Sequence, residues 1–247
     1  MEQEGDEMAE PRIVHGETSV VLYDAAHLSG VPESWFEESY WRDRDAVLRT
    51  VSGRGSVFVV DKQPDIWVLR HYRRGGLVAR FIDDHYLWLG TERTRAFREW
   101  RLLASLLEEG LPVPQPIAAR VCRSGPVYQA DIITAHLTDT RSLASLLSEN
   151  FVVGVVWENI GMTLRTFHNR GVDHADLTAH NILLDSHDRV FLVDFDRGAF
   201  RRPGRWCQGN LDRFKRSLLK VALETGSSVD ESGWRVLERA YGVRSRS

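Results

Sequence analysis

Between Asp176 and Asp194 the chain carries two short apolar runs, Ile182-Leu183-Leu184 and Val190-Phe191-Leu192-Val193, split by Asp185-Ser186-His187-Asp188. The runs have strand composition and the separator has turn chemistry, so the segment predicts a hairpin. A hairpin here constrains its whole surroundings. It returns Val193-Asp194-Phe195-Asp196 to the side of His174-Ala175-Asp176-Leu177-Thr178-Ala179-His180-Asn181. Two carboxylates and an amide, Asp176, Asp194 and Asn181, are then expected to converge.

Phosphoryl transfer asks a protein for positioning and charge neutralisation more than for covalent work, and this trio supplies both. Asp176 is expected to accept the proton of a substrate hydroxyl. Asn181 and Asp194 offer hard oxygen ligands, which suit Mg²⁺ bridging nucleotide phosphates rather than a thiolate-seeking metal. In order and spacing these residues resemble the catalytic and metal-binding loops of the protein-kinase-like superfamily, His-x-Asp-Leu-x-x-x-Asn followed by Asp-Phe-x. Ala175 stands where many protein kinases carry an arginine that receives a phosphorylated activation loop, so regulation by that route is not expected. Asp196 replaces the usual third-position glycine and leaves Asp194 in place. The resemblance implies an α+β, bilobal protein-kinase-like fold with a mainly antiparallel-sheet N-lobe and a mainly helical C-lobe. It also implies ATP and Mg²⁺ as cofactors.

Three upstream parts are expected of that superfamily, and each has a candidate. Ser52-Gly53-Arg54-Gly55-Ser56 precedes the apolar run Val57-Phe58-Val59-Val60. Gly53, Gly55 and Ser56 would let backbone N–H groups approach phosphates, although Gly-x-Gly alone is more often an ordinary hairpin turn. Ile66-Trp67-Val68-Leu69-Arg70 ends in a cation where protein kinases place lysine, and a guanidinium still bridges phosphate and carboxylate oxygens. Phe97, Trp100, Leu103 and Leu107 recur at helical spacing around Glu99. Glu99 is expected to reach Arg70; local pairing with Arg95 or Arg98 is the surface alternative, and Glu92 the weaker substitute.

Leu69-Arg70-His71-Tyr72-Arg73-Arg74-Gly75-Gly76, taken with the two loops, resembles a narrower family. These are the 3-deoxy-D-manno-octulosonic acid (Kdo) kinases of Gram-negative lipopolysaccharide assembly, matched over roughly residues 50 to 220. The resemblance implies transfer of the ATP γ-phosphate to the 4-hydroxyl of a Kdo residue on Kdo–lipid A, at the cytoplasmic face of the inner membrane. Heptose kinases of the lipopolysaccharide core share the architecture and remain the nearest alternative. A non-catalytic pseudokinase that binds nucleotide is the alternative from another class, motivated by Arg70 and Asp196 and opposed by the intact Asp176, Asn181 and Asp194. Arg73 and Arg74 suit an anionic acceptor, or form a solvated charge run. Arg197, Arg201, Arg202 and Arg205, with Arg213, Lys215 and Arg216 on a helix, suit an anionic glycolipid surface beside Phe200 and Trp206, or simply solubilise the helix. His168 and His174 are expected to pack and hydrogen-bond; His180 is left outside the catalytic set.

Net charge is −3 at pH 7, so nucleic acid is not an expected partner. Two cysteines, Cys122 and Cys207, lack paired spacing, which argues against a disulfide framework and for a reducing compartment. No apolar run reaches the roughly 20 residues that span a bilayer, so membrane contact is expected to be peripheral. Residues 1–18 read as a mobile polar tail, 19–134 as the N-lobe and 135–247 as the C-lobe. One or two helices are expected over 34–48. Strands are expected around 118–122 and 127–134, with a hinge near 132–136. A long amphipathic helix is expected to run from Val153 to a stop at Gly171.

Overall fold

Alternating apolar residues dominate the first half of the chain and helical spacing the second, and the two halves fold accordingly. The structure, a computed structural model, describes residues 9–51, 57–72, 85–149, 152, 154–227 and 231–242. Two compact units result: residues 1–110 with 114–136, and residues 111–113 with 137–247. Gly53, Gly55 and Ser56, and the 73–76 arginine–glycine stretch, lie outside the described residues.

The first unit is an eight-stranded antiparallel sheet. Its early elements are β1 (Pro11–His15), β2 (Ser19–Asp24), α1 (Glu38–Arg42), β3 (Val47–Val51), β4 (Val57–Asp61) and β5 (Ile66–His71). They are followed by β6 (Tyr86–Leu87), α2 (Arg95–Glu108), β7 (Pro116–Ser124) and β8 (Val127–Ala135). The strand order is β1-β2-β7-β8-β5-β4-β3, with β6 against β8. One sheet face is covered by Trp35, Phe36 and Trp41, whose indoles meet Trp67 edge-on at 5.1 and 6.4 Å between ring centroids. On α2, Phe97, Trp100, Leu103 and Leu106 are fully buried.

Three expectations need correcting here. Residues 11–15, read as part of a tail, form β1, in register Ile13↔Leu22 with β2. All five residues of β1 are exposed, so backbone pairing and the Glu10 N–H bond to Asp24 Oδ1 hold it, and no apolar pattern announces it. The helices expected over 34–48 shrink to a 3₁₀ turn (Glu33–Phe36) and α1, because Asp45 turns left-handed (φ 51°) and Val47 begins a strand. The chain also passes to the second unit two residues beyond the expected boundary. Residues 132–135, expected near a hinge, are strand, and the His136 N–H continues the pairing to Ile66 O at 2.8 Å.

The second unit begins with β9 (Arg141–Ser142), α3 (Leu143–Ser148), α4 (Gly154–Asn169) and β10 (Val172–Asp173). The hairpin β11 (Ile182–Leu184) and β12 (Val190–Leu192) comes next, then β13 (Ala199–Phe200), α5 (Arg205–Thr225) and α6 (Glu231–Tyr241). Residues 111–113 join this unit because Leu192 N–H donates to Pro112 O at 3.0 Å. Gly171 follows α4 at φ +75°, the left-handed turn that only glycine adopts without strain, and its carbonyl accepts from Arg201 N–H at 2.7 Å. α4 and α6 pack closely through Gly161 and Gly233: a Cβ on Gly161 would stand 2.5 Å from Leu237 O, and one on Gly233 would overlap the Trp157 indole.

Candidate active site

β5 lies between β8 and β4, and strand alternation puts Arg70 on one face and Leu69 and His71 on the other. Tyr72, just past the strand, joins the Arg70 side. α2 presents Glu99 to that side from within its buried stripe. Arg70 Nη2 donates to both Glu99 carboxylate oxygens at 2.5 Å, and the Tyr72 hydroxyl donates to Glu99 Oε2 at 2.5 Å. The guanidinium also lies 4.9 Å from the Tyr72 ring centroid. Glu99 keeps 2% of its side-chain surface exposed and Arg70 keeps 18%. The carboxylate is therefore the buried support and the guanidinium the end that solvent reaches. Glu92 is instead occupied at the surface, accepting from Arg101 Nε and Nη2 at 2.7 and 2.8 Å.

The opposite face carries a network that sequence reasoning missed. Register places Arg120, Asp131 and His71 side by side on β7, β8 and β5. Arg120 Nε donates to Asp131 Oδ2 at 2.9 Å, His71 Nδ1 lies 2.6 Å from Asp131 Oδ1, and Arg120 Nη1 donates to Glu37 Oε1 at 2.5 Å. Arg120 and Asp131 are buried, and the cross-strand pairs fix β5 sideways in the sheet. The only signal in sequence is an Arg and an Asp on successive apolar strands, which register alone makes neighbours.

In the second unit the hairpin forms with Ile182↔Leu192 and Leu184↔Val190 paired. Val193 N–H donates to Asn181 O at 3.1 Å, tying the two loops together where the hairpin opens. His174 makes the second tie. Its Nε2–H donates to Val193 O at 3.0 Å while Nδ1 accepts the Asp176 N–H at 3.3 Å. Only the neutral Nε2–H tautomer satisfies both bonds. Burial, the main cause, pushes the His174 imidazole below its ordinary pKa, which favours that form. The backbone N–H of His174 donates to Asn210 Oδ1 at 3.1 Å, Asn210 Nδ2 donates to Asp173 Oδ1 at 3.0 Å, and Arg201 Nη1 holds Asp173 Oδ2 at 2.6 Å. Arg201, one of the clustered cations, is thus committed to an internal pair. Asn210 and Asp173 lie outside the motif and were not foreseen.

Asp176 itself is exposed, and Arg213 Nη1 approaches its Oδ1 at 3.4 Å. Asn181 Nδ2 donates to the Asp176 carbonyl at 2.9 Å, which leaves the amide oxygen as the side chain's remaining acceptor. Ala179, between them, is pinned by Ser217 Oγ on α5 and by Ala144 N–H on α3. Asp194 sits at φ +63°, a left-handed conformation that aspartate adopts more readily than most residues. The following Phe195 is buried, 4.6 Å from the His174 ring and 6.1 Å from Phe167. The left-handed residue that a third-position glycine would suit is displaced by one: Arg197 takes φ +63° and Gly198 N–H closes onto Phe195 O at 2.7 Å. Asp196 therefore needs no glycine-like freedom. His180 is exposed, as Asp176 is.

Asn181 and Asp194 offer hard oxygen donors, a chemistry that fits Mg²⁺. Among the described residues no group of three or more His, Cys, Asp or Glu able to hold a metal occurs.

Residues 38–241 match the Lipopolysaccharide kinase (Kdo/WaaP) family. A 3-deoxy-D-manno-octulosonic acid kinase of Vibrio parahaemolyticus is 37% identical over 221 residues, covering 90% of this chain and 93% of the relative. One from Stenotrophomonas maltophilia is 41% identical over 226 residues, covering 90% and 89%. Among solved structures, the bifunctional kinase-methyltransferase WbdD aligns with a TM-score of 0.48 at 12% identity, over 81% of this chain and 48% of that one. On the family match and the relatives' near-complete coverage, the chain belongs to the Lipopolysaccharide kinase (Kdo/WaaP) family.

Proposed function

We propose that this kinase transfers the γ-phosphate of ATP to the 4-hydroxyl of a Kdo residue on Kdo–lipid A, working peripherally at the cytoplasmic face of the inner membrane. The observation that carries the reading is His174, whose two ring nitrogens join the Asp176 loop to the Asp194 loop. That bridge ties together the two loops that flank the open end of the hairpin and carry Asp176, Asn181 and Asp194. The names of the relatives supply the acceptor.

In the proposed reaction Asp176 takes the proton of the acceptor hydroxyl. The oxygen forms a bond to the γ-phosphorus as the bond to the β–γ bridging oxygen breaks, and ADP leaves. Asn181 and Asp194 would hold Mg²⁺, which when bound would supply charge neutralisation at the phosphates. Arg70, steadied by Glu99, contributes a fixed cation to the nucleotide, and Gly53, Gly55 and Ser56 contribute backbone donors to it. Arg213 contributes to acceptor choice: a permanent cation 3.4 Å from the base has an anionic partner ready when the acceptor carries a carboxylate, as Kdo does.

Radiolabelled ATP offered with Kdo–lipid A, a heptose-bearing core acceptor, a neutral sugar and a generic protein tests the reading. Label on Kdo–lipid A alone is expected. Label on heptose instead would make it a core heptose kinase, and label on none of them, with nucleotide still bound, would make it a pseudokinase.

A further inference from the structure

We infer that the outward face of α5 is a contact surface for an anionic phospholipid bilayer. The inference rests on the proposed lipid-anchored acceptor and names the surface by which the enzyme would meet it. α5 buries Asn210, Leu211, Phe214, Leu218, Val221 and Ala222. At about 100° per residue these fall on one side of the helix, and Arg216, Leu219, Lys220 and Leu223 fall on the other. Leu223 is 85% exposed and Leu219 54%. Single exposed leucines are ordinary on a soluble surface, but these are neighbours at i and i+4 on the side away from the core.

Charge selects the occupant. On the outward side of α5 Arg205, Arg216 and Lys220 stand with Asp212 and Glu224, while Arg213 is drawn to Asp176 and Lys215 lies over the Trp234 ring. Glu224 is engaged by Lys220 at 3.7 Å, and Arg216 has no carboxylate partner among the described residues. Leucines flanked by long cationic side chains match the boundary of an anionic leaflet, where the alkyl groups enter the acyl margin and the cations meet lipid phosphates. The surface is also continuous with the chemistry, since Arg213 on the same helix touches Asp176. No helix among the described residues is long and apolar enough to cross a membrane, so contact through a face is the mode available to α5.

Flotation with phosphatidylcholine vesicles, with and without phosphatidylglycerol, tests this on the full chain. The wild type is expected to float with the anionic vesicles only. Leu219→Asp/Leu223→Asp and Arg216→Glu/Lys220→Glu should each weaken that binding about 10-fold or more, with melting curves unchanged because all four side chains are exposed. Turnover should fall on vesicle-embedded Kdo–lipid A and stay within about twofold on a deacylated, water-soluble Kdo acceptor. Wild-type-like binding by the leucine variant, equal binding to uncharged vesicles, or self-association of the wild type through this face would overturn the inference. Vesicle binding that depends on these residues, without turnover on any acceptor, would reject the proposed reaction and still uphold the surface.

Discussion

Arg70 in the first unit and Asp176 in the second are charged groups held in opposite ways. Arg70 is fixed by charge, through a buried carboxylate and the Tyr72 hydroxyl that shares it. Asp176 is fixed through its backbone, with its N–H on a neutral histidine and its carbonyl on an asparagine, while the carboxylate stays exposed. A cation that only has to persist tolerates a permanent ion pair. A base that must take up and release a proton is better left with its carboxylate accessible and its main chain immobilised. Substitutions in the first unit should therefore cost stability and activity together, whereas those at Asp176 should cost activity alone.

The sharpest way to break that contrast is Glu99→Ala. It removes the buried carboxylate that Arg70 and Tyr72 share and should destabilise the protein by about 3–5 kcal/mol, with Glu99→Gln costing less because it keeps a hydrogen-bond acceptor. Urea unfolding monitored by circular dichroism reads the difference, and a loss under about 1 kcal/mol for Glu99→Ala would contradict a supporting role.

Acid should probe the second unit through its neutral histidines. Burial, the main cause, pushes His168 down to about 4, and His174 is also lowered by burial. Both titrate near 6.5 once unfolded, so the unfolded chain binds more protons below that pH. The stability they confer is complete above about pH 6.5 and is lost as pH falls toward 4, by about 2 kcal/mol for His168 at about pH 5. Urea midpoints at about pH 7.5 and 5 should differ accordingly in the wild type and by less in His168→Gln; equal slopes with pH would remove His168 as the cause.

Smaller effects follow. Gly161→Ala forces a methyl against Leu237 O and should cost about 1–3 kcal/mol, read from the thermal midpoint. Arg213→Ala, at an exposed pair, should change stability by less than about 1 kcal/mol while lowering preference for carboxylate-bearing over neutral sugar acceptors. An unchanged ratio of kcat/KM values would deny Arg213 that role.

What was legible in the sequence was whatever local pattern encodes. The 182–193 hairpin, the 97–107 helical stripe and the Gly171 stop are each written in a few adjacent residues, and all three formed. β1 was missed because an exposed edge strand buries no side chain, and the one or two helices expected over 34–48 formed but end at Arg42, because aromatic spacing says nothing of the left-handed turn at Asp45. The Arg120–Asp131–His71 row and the Asn210–Asp173 support of His174 depend on strand register and on a helix arriving from far along the chain, which no local pattern carries.

The most direct measurement of the central claim is single-turnover phosphorylation of Kdo–lipid A by Asp176→Ala, with the melting midpoint and Mg·ATP affinity measured on the same preparation. The account predicts turnover lower by about 10²–10⁴-fold with fold and nucleotide binding retained. Near-wild-type turnover in a folded, nucleotide-binding Asp176→Ala protein would contradict it.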